Sequence, residues 1–426
     1  MRIFVEPSPE LPLVSFSVTF IGGRLHEPVG KDGLARVTAR MLRRGAGPFD
    51  AEQLEQHADA LGAELGSGVG LGSTTISCEV LSRSLDHAVD LVATMLAEPR
   101  HDAEELGRLL RQTEAELVRS RDNDSLLCSR ALRRHLFAGH PHRLRVQGDA
   151  AGLRAITRSD VVAFQENTFR RGSALVAFTG DIDEIRAEAL ATRLLAGVPD
   201  GETAPYPPDP PPVPGGRRLV IVDKPGRSQA QLAIGTLGTL PADEDHTALT
   251  VANTAFGGTF TSRMVQEIRA KRGWSYGASS HLTTSRIRET FSMWASPESA
   301  VVTDCLALEL EMLDRWIREG ITADELTFCQ GYLRRSWAFE IDTAKKRLSQ
   351  RIERALLELP DDYHTGFVDR VAAVTLDEAN AAVKRRISSE NLWVAVVGEA
   401  ASLKAPLGEA LGVASSDVVV ERYDVE

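Results

Sequence analysis

Alternating and periodic apolar positions predict a repeated order of strands and helices in the first half of the chain. The run Val14–Phe20 alternates apolar and polar residues, which is typical of a strand with one buried face. The N-terminal residues enter another strand almost at once. We predict strands near 12–22 (which contains Val14–Phe20), 73–80 and 173–180, and helices near 31–44, 50–62, 84–97, 102–121, 125–137 and 158–168. This order predicts an α+β fold with an antiparallel or mixed sheet covered by helices.

The second half of the chain repeats the pattern of the first. Thr157 opens a helix in a Thr-x-x-Asp capping box, and 218 positions later Thr375 opens another in Thr-x-x-Glu. Each helix is followed by an apolar strand that ends at a glycine, Gly180 and Gly398 respectively. The first strands also correspond, at 11–20 and 229–238. The sequence therefore predicts two homologous α/β halves.

A proline-rich run divides the chain almost equally. Residues 199–216 favour an extended polyproline II conformation, which does not contribute to a packed core. We therefore predict an N-terminal half at 1–198, a linker at 199–216 and a C-terminal half at 217–426. Two interpretations stay open: halves that face each other across a shared cleft, or two similar domains without one.

Composition and charge narrow the classes of function. The hydrophobic fraction of 43% and charged fraction of 26% are typical of a soluble globular protein. A net charge of −11 argues against binding to nucleic acid or anionic membranes. No apolar stretch approaches the roughly 18 residues of a membrane span, and the four cysteines lack metal or disulfide spacing. We expect a cytoplasmic chain, or a periplasmic one if a leader peptide has been removed.

The segment 257–277 is the most informative part of the sequence. It opens with the pair Gly257 and Gly258 and continues into a short amphipathic helix. Gly273 suits the left-handed position that ends such a helix. A strand is predicted to follow at 274–282.

Two side chains in this segment suggest a binding site for a peptide. Arg269 lies on the last helical turn, and Tyr276 lies in the strand that follows. A helix end and the next strand are able to direct both side chains into one cleft. There the planar Arg fork and the Tyr O–H would bind a peptide carbonyl and its developing oxyanion. The alternative interpretation is a helix-to-strand corner with a surface Arg and a packed Tyr.

The whole run, GG-x-F-x-SRM-x-x-E-I-R-x-K-RG-x-x-Y, closely resembles a signature of the pitrilysin/insulinase-type zinc peptidases (inverzincins), which include the mitochondrial processing peptidases. In that family an Arg and a Tyr with this spacing help to bind the substrate at the scissile bond. The resemblance implies substrate-binding roles for Gly257, Gly258, Arg269 and Tyr276. It covers nearly the whole chain and implies two halves that close like a clamshell around a peptide.

The family's zinc-binding motif, H-x-x-E-H, is degenerate in this chain. The matching positions 36–40 read Arg-Val-Thr-Ala-Arg, so Arg36 and Arg40 replace the two ligands and Ala39 replaces the general base. Arg has no lone pair to offer a metal. The resemblance places the third ligand at Glu116, 76 positions after Arg40. We predict that Glu116 pairs with Arg36 or Arg40 and that this chain binds no zinc.

No other segment replaces the lost metal site. His140-Pro141-His142 is predicted to be a turn in preference to a two-ligand metal fragment. The glycine-rich run at 66–72 lacks the Lys-Ser/Thr of a phosphate-binding loop and is predicted to be a flexible hairpin.

The chain thus retains the substrate-side pair and lacks the metal-side residues. The favoured interpretation is a catalytically incomplete subunit of a heterodimeric zinc metallopeptidase. A homologous partner would supply the H-x-x-E-H zinc site, while Arg269 and Tyr276 act in trans on peptide substrates. The alternative is a structural or peptide-binding pseudopeptidase, similar to the core subunits of respiratory complexes. A purely structural descendant has little reason to retain both residues, which favours the first interpretation.

Overall fold

The computed structural model describes residues 1–425, which divide into two compact units. Unit 1 consists of Met1–Leu117, Leu144–Pro207 and Phe339–Glu358. Unit 2 consists of Val118–Arg143, Pro208–Ala338 and the remainder of the chain from Leu359. Each unit contains one mixed sheet with helices packed on it, so the predicted α+β class is confirmed.

The sheet of unit 1 has five strands in the order β1-β5-β2-β4-β3. They are β1 (Arg2–Pro7), β2 (Leu13–Ile21), β3 (Glu64–Val69), β4 (Ser73–Leu81) and β5 (Ala174–Gly180). Strands β1 and β5 are parallel, and the other pairs are antiparallel. The apolar side chains that alternate along β2 are buried, since Val14, Phe16 and Val18 are at most 2% exposed. The three strands predicted near 12–22, 73–80 and 173–180 are therefore confirmed.

The sheet of unit 2 repeats this order with one strand added. Its strands are β6 (Arg217–Asp223), β7 (Gln231–Leu237), β8 (Ser275–Leu282), β9 (Thr290–Pro297), β10 (Leu392–Gly398) and β11 (Val419–Arg422). The order is β11-β6-β10-β7-β9-β8. Without β11 it corresponds strand for strand to the sheet of unit 1, including one parallel pair, β6 and β10, next to three antiparallel ones. The predicted duplication is confirmed.

The helices of the structure agree with those predicted from the periodicity of apolar residues. The first eight are α1 (Leu34–Met41), α2 (Ala51–Leu61), α3 (Leu85–Ala97), α4 (Ala103–Ser120), α5 (Asp124–Leu136), α6 (Ala150–Ala155), α7 (Arg158–Thr168) and α8 (Glu184–Leu194). The others are α9 (His246–Asn253), α10 (Val302–Glu319), α11 (Ala323–Ser336), α12 (Ala344–Leu357), α13 (Phe367–Ala373), α14 (Leu376–Arg386) and α15 (Ala400–Leu411). The capping boxes predicted at Thr157 and Thr375 are both present. Within residues 1–425, no helix has the length and apolar character needed to cross a membrane.

Two helices pack in the unit that does not contain their sequence neighbours. Helix α5 packs on β10 and β7 of unit 2, where Leu132 and Cys128 join a cluster with Ala395. Helix α12 packs on β1 and β5 of unit 1, where Leu348 packs against Phe4. The compact units therefore differ from the contiguous halves 1–198 and 217–426 in two segments. An apolar helix face can be identified from the sequence, but the sheet face that it covers cannot.

The proline-rich run has neither helix nor strand from residue 202 to 214. It is attached to unit 1 by Tyr206, whose hydroxyl donates a hydrogen bond to the Gly72 carbonyl at 2.8 Å. The Tyr206 ring also packs edge-on against His26. The glycine-rich run at 66–72 forms part of β3 and the turn into β4, so its interpretation as a hairpin is confirmed.

Candidate functional site

The segment 257–277 begins at the end of the π-helical stretch Thr254–Gly258, contains a second one, Val265–Lys271, and runs into β8. The predicted amphipathic helix is present in this wider form, and its apolar residues Met264 and Ile268 are fully buried. Gly273 has φ of 66°, which confirms the predicted left-handed residue after the helix. Single π-helical turns are rare and frequently occur at functional sites.

The two glycines allow close packing of this segment. Gly257 is buried, and a Cβ atom at this position would overlap Ser280 of β8. Ser280 donates a hydrogen bond to the Asn253 side chain at 2.6 Å, which ties β8 to the end of α9. Gly258 is exposed. Gly257 thus has a packing role, and substrate binding by either glycine stays a prediction.

The structure brings Arg269 and Tyr276 together, as the sequence predicts. The Arg269 guanidinium carbon lies 5.0 Å from the centre of the Tyr276 ring and 4.4 Å from that of Phe260. Tyr276 is 87% exposed and Phe260 is 72% exposed. Within residues 1–425, the Arg269 side chain has no ion pair and the Tyr276 hydroxyl has no hydrogen bond. The interpretation of a packed Tyr is therefore wrong, because the ring lies on the surface.

Phe260 was not predicted as a site residue. Its sequence signal is an aromatic residue in a polar stretch directly after two glycines, where no core position is expected. Aromatic rings close to a guanidinium favour its charge electrostatically and restrict its motion without using its N–H groups.

The backbone that carries Arg269 is anchored by neighbouring side chains. Arg263 forms two hydrogen bonds with Glu325 at the start of α11, at 2.6 and 2.5 Å. Burial raises the pKa of Glu325, but the hydrogen bonds and charge of Arg263 together with the hydrogen bonds to Thr322 outweigh burial, so the net pKa lies below its usual range. Ile268, next to Arg269, is fully buried. The half-buried Arg269 side chain thus stands on a fixed backbone.

The degenerate metal position contains an ion-pair cluster between α1 and α4. Glu116 accepts hydrogen bonds from Arg36 at 2.9 Å and from both terminal nitrogens of Arg40 at 3.1 and 3.0 Å. Arg40 also donates to the Thr113 hydroxyl at 3.1 Å. Burial raises the pKa of Glu116, but the two guanidinium groups outweigh burial and lower it overall. The predicted pairing is confirmed, and Glu116 pairs with both arginines.

These residues do not fit a zinc ion. The guanidinium groups of Arg36 and Arg40 have only donors, and Ala39 has no functional group that could act as a base. Elsewhere in residues 1–425, no three His, Cys, Asp or Glu side chains are grouped in a way that could hold a metal. We therefore assign no catalytic step of this chain to a metal.

The His140-Pro141-His142 turn is part of a buried ion-pair network in unit 2. His142 lies 2.5 Å from Glu289, which also forms two hydrogen bonds with Arg133 at 2.6 and 3.1 Å. Burial raises the pKa of Glu289, but His142 and Arg133 outweigh burial and lower it to about 2. The interpretation of this sequence as a turn is confirmed, and its side chains are engaged in packing unit 2.

Both halves of the chain match known protein families. Residues 2–149 match the family described as insulinase (peptidase family M16), and residues 155–331 match the peptidase M16 inactive domain. An uncharacterized zinc protease from Mycobacterium tuberculosis is 27% identical over 93% of this chain and 91% of its own length. The non-peptidase homolog YmxG from Helicobacter pylori is 21% identical, over 93% of this chain and 91% of the length of YmxG.

Solved structures show the same fold. The peptidase M16 inactive domain from Pseudomonas fluorescens superposes with a TM-score of 0.85 at 24% identity, covering 93% of this chain and 95% of that one. The motif at 257–277, the duplicated sheets and the matched families agree with one another. This chain therefore belongs to the insulinase-type peptidase family M16.

Proposed function

We propose that this chain is the catalytically incomplete subunit of a heterodimeric zinc metallopeptidase. A homologous partner chain with an intact H-x-x-E-H motif supplies the zinc site. This chain contributes Arg269 and Tyr276, which bind the peptide substrate. The observation that carries the proposal is the half-buried Arg269, whose guanidinium lies against two exposed aromatic rings and has no ion pair within residues 1–425.

The exposed groups support binding of a ligand. A Tyr ring that is 87% exposed beside a Phe ring that is 72% exposed leaves apolar surface in water. Exposed apolar groups that are clustered and rimmed by polar residues mark interaction sites. Because Tyr276 also has a free hydroxyl, it is suited to contact a peptide with its ring and to donate a hydrogen bond to the backbone.

The chemistry follows from the charge that develops on the peptide carbonyl oxygen. Arg269 and Tyr276 donate hydrogen bonds to the substrate at the scissile bond. These bonds strengthen as the carbonyl oxygen becomes an oxyanion, so they stabilise the transition state more than the bound substrate. Removal of one donor of this type lowers turnover by roughly 10²–10³.

The second candidate is a structural or peptide-binding pseudopeptidase. It is favoured by the relative named a non-peptidase homolog, which matches nearly the whole chain. On this hypothesis, Arg269 and Tyr276 would at most contribute to peptide affinity. A partner chain would not gain peptidase activity from this chain. The two candidates therefore differ in whether a mixed complex cleaves peptides.

The test is a peptide-cleavage assay of this chain copurified with a homologous chain that carries H-x-x-E-H. We expect zinc-dependent cleavage by the mixed complex and a fall of roughly 10²–10³ in kcat/KM for Arg269→Ala, with assembly unchanged. Arg318→Ala is the control, because Arg318 is also in unit 2 and its side chain is 67% exposed. Equal cleavage by wild type and Arg269→Ala would exclude the proposed role of Arg269.

The purified chain without a partner gives a second test. Because Arg36, Ala39 and Arg40 cannot form the metal site, we expect no zinc-dependent proteolysis and no stoichiometric zinc in this preparation. Zinc-dependent cleavage by the chain alone would overturn the assignment as an incomplete subunit.

A further inference from the structure

We infer that a cavity in unit 1, at the degenerate metal position, binds a carboxylate group of a peptide. The cavity has a volume of about 760 Å³, and four arginines line it: Arg36, Arg40, Arg43 and Arg44. A volume of this size is typical of sites for small ligands or short peptide segments. Ala39, which stands where the family has its general base, also lines this cavity.

The arginines outnumber the carboxylates that neutralise them. Arg43 forms a bidentate pair with Glu55, at 3.1 and 2.7 Å, and Arg44 lies 3.4 Å from Glu105. Arg36 and Arg40 share the single carboxylate of Glu116. Glu105 also pairs with Arg108, which pairs in turn with Glu104. These five guanidinium groups and four carboxylates leave one positive charge in excess, within a chain whose net charge is −11.

Arg36 is the least satisfied of the four. Among the residues that the structure describes, its guanidinium forms a single hydrogen bond, to Glu116, whereas Arg40 forms three. The Nη1 atom of Arg36 is buried and has no hydrogen-bond partner within residues 1–425. A buried donor without a partner costs free energy. An anion in the cavity would relieve this cost if the guanidinium turned towards it.

The charge and the lining favour a carboxylate over a phosphate. One excess positive charge balances one carboxylate, whereas a phosphate dianion would leave a negative charge uncompensated. A guanidinium fork also matches the two oxygens of a carboxylate in plane. Val69 and Val146 line the same cavity and provide apolar surface for the carbon chain that carries the group. The carboxylate comes from an Asp or Glu side chain or from a peptide C-terminus.

This site is independent of the proposed roles of Arg269 and Tyr276, which lie in unit 2. Its binding is therefore measured on the chain alone, without partner and without zinc. A failure of this inference would leave cleavage by a mixed complex unaffected, and a failure of the proposed function would leave this binding unaffected.

The experiment measures fluorescence anisotropy of three labelled peptides of equal length. The first has internal Glu residues and an amidated C-terminus, the second has Gln residues and a free C-terminal carboxylate, and the third has Gln residues and an amide. We expect at least one charged peptide to bind about tenfold more tightly than the neutral one. The peptide that binds identifies the source of the carboxylate.

Variants then locate the site. We expect Arg36→Gln to weaken binding of the charged peptide about tenfold, and Arg36→Lys to weaken it several-fold because it keeps the charge but loses the fork. Arg36→Lys also guards against loss of folding, since it preserves an ion pair with Glu116. Arg154→Gln is the control, because Arg154 is in unit 1, its side chain is 73% exposed and it pairs with Glu114.

Three results would each overturn the inference. These are equal binding of all three peptides, unchanged binding by both folded Arg36 variants, and an equal loss of binding in Arg154→Gln, which would indicate attraction by surface charge in general.

Discussion

Arginine has two different roles in this chain, and the neighbours of each side chain decide which. Arg40 donates three hydrogen bonds to Glu116 and Thr113, so most of its donors are already used. Arg269 is positioned by the faces of two rings, which take none of its N–H groups. The first arrangement stabilises the fold, and the second leaves a charged donor group free for a ligand.

The stacked arrangement predicts a role for Phe260. Phe260→Ala removes one of the two rings that orient Arg269, so we expect kcat/KM of a mixed complex to fall about two- to fivefold, the range of an exposed cation–π contact. Circular dichroism and thermal unfolding should not change, because Phe260 is 72% exposed. Ile185→Ala is the control, since Ile185 is an exposed apolar residue of unit 1. Full activity of Phe260→Ala would show that the ring does not position Arg269.

The ion-pair cluster predicts a loss of stability when its carboxylate is removed. Glu116→Gln leaves Arg36 and Arg40 facing each other without a counter-charge, so we expect the free energy of unfolding to fall by about 1–2 kcal/mol. Chemical denaturation of the isolated chain measures this change. Glu114→Gln, on the same helix, should cost less than about 0.5 kcal/mol, because its partner Arg154 is exposed. Equal effects of the two variants would contradict the assigned role of Glu116.

The same ion-pair cluster predicts how the stability difference between wild type and Glu116→Gln depends on pH. The two arginines outweigh burial and lower the pKa of Glu116, so the folded chain releases this proton at a lower pH than the unfolded chain. The contribution of Glu116 is present above the ordinary carboxyl range and is lost as the pH falls through the lowered pKa. The stability difference between wild type and Glu116→Gln should therefore shrink in acid.

At the scale of single elements, α10 carries an unusual buried carboxyl. Glu309 is fully buried, and neither of its oxygens has a hydrogen-bond partner within residues 1–425. Burial raises its pKa to about 8. The thiols of Cys128 and Cys305 interact with it electrostatically, and burial raises their pKa values too, so both stay neutral near pH 7. Glu309 is therefore protonated in the folded chain at neutral pH.

Removal of the Glu309 carboxyl is expected to stabilise the chain, and this gain in the free energy of unfolding should depend on pH. The folded chain holds the proton of Glu309 up to about pH 8, whereas the unfolded chain releases it near the ordinary value of 4.5. The free energy of unfolding therefore falls as the pH rises between these values. We expect the stability of Glu309→Leu relative to wild type to increase by at least ~1 kcal/mol between about pH 5 and about pH 8.

Urea unfolding at both pH values measures this increase. Glu311→Leu, on the exposed side of the same helix, should show no comparable pH dependence. A difference between Glu309→Leu and wild type that stays constant with pH would mean that Glu309 is ionised in the folded chain.

Local elements were predictable from the sequence where the signal is itself local. The capping boxes at Thr157 and Thr375 and the left-handed Gly273 depend on backbone groups a few residues away. The π-helical form of Val265–Lys271 was not predictable, because its apolar spacing also fits an ordinary helix. The short α6 and the helix α8 were not predicted.

At the scale of the whole molecule, the exchange of α5 and α12 makes the two sequence halves interdependent. Residues 1–198 lack α12, which covers Phe4 and Leu175 in unit 1. Residues 217–426 lack α5, which covers Ala233, Ala395 and Trp393 in unit 2. Which sheet a helix covers depends on contacts between residues that are far apart in the sequence, such as Leu348 with Phe4, and no pattern within the helix specifies it.

This exchange predicts the behaviour of truncated chains. Residues 217–426 expressed alone should expose an apolar sheet face, and we expect aggregation or loss of cooperative thermal unfolding. A fragment that starts at residue 118 retains α5 and serves as the control, which should be more soluble. A 217–426 fragment that unfolds cooperatively at the temperature of the full chain would contradict the assigned role of α5.

The candidate site was predictable as a motif but not as an arrangement. The spacing of Arg269 and Tyr276 and the loss of ligands at Arg36 and Arg40 are visible in the sequence. The contact of Phe260 with Arg269 was not, because the sequence shows an aromatic residue outside the core pattern but does not show which side chain its ring contacts. The cavity that Arg43 helps to line also depends on how α1 packs, and this packing cannot be predicted from local sequence patterns.

The most direct measurement of catalysis in trans is the cleavage rate of a mixed complex that contains Tyr276→Phe. This substitution removes one hydroxyl from a ring that is 87% exposed, so it leaves folding and assembly intact. Tyr332→Phe is the matched control, because Tyr332 is another exposed tyrosine of unit 2. If Tyr276 stabilises the oxyanion in trans, kcat should fall by roughly 10²–10³ in Tyr276→Phe and remain unchanged in the control. Undiminished cleavage by an assembled Tyr276→Phe complex would contradict the account.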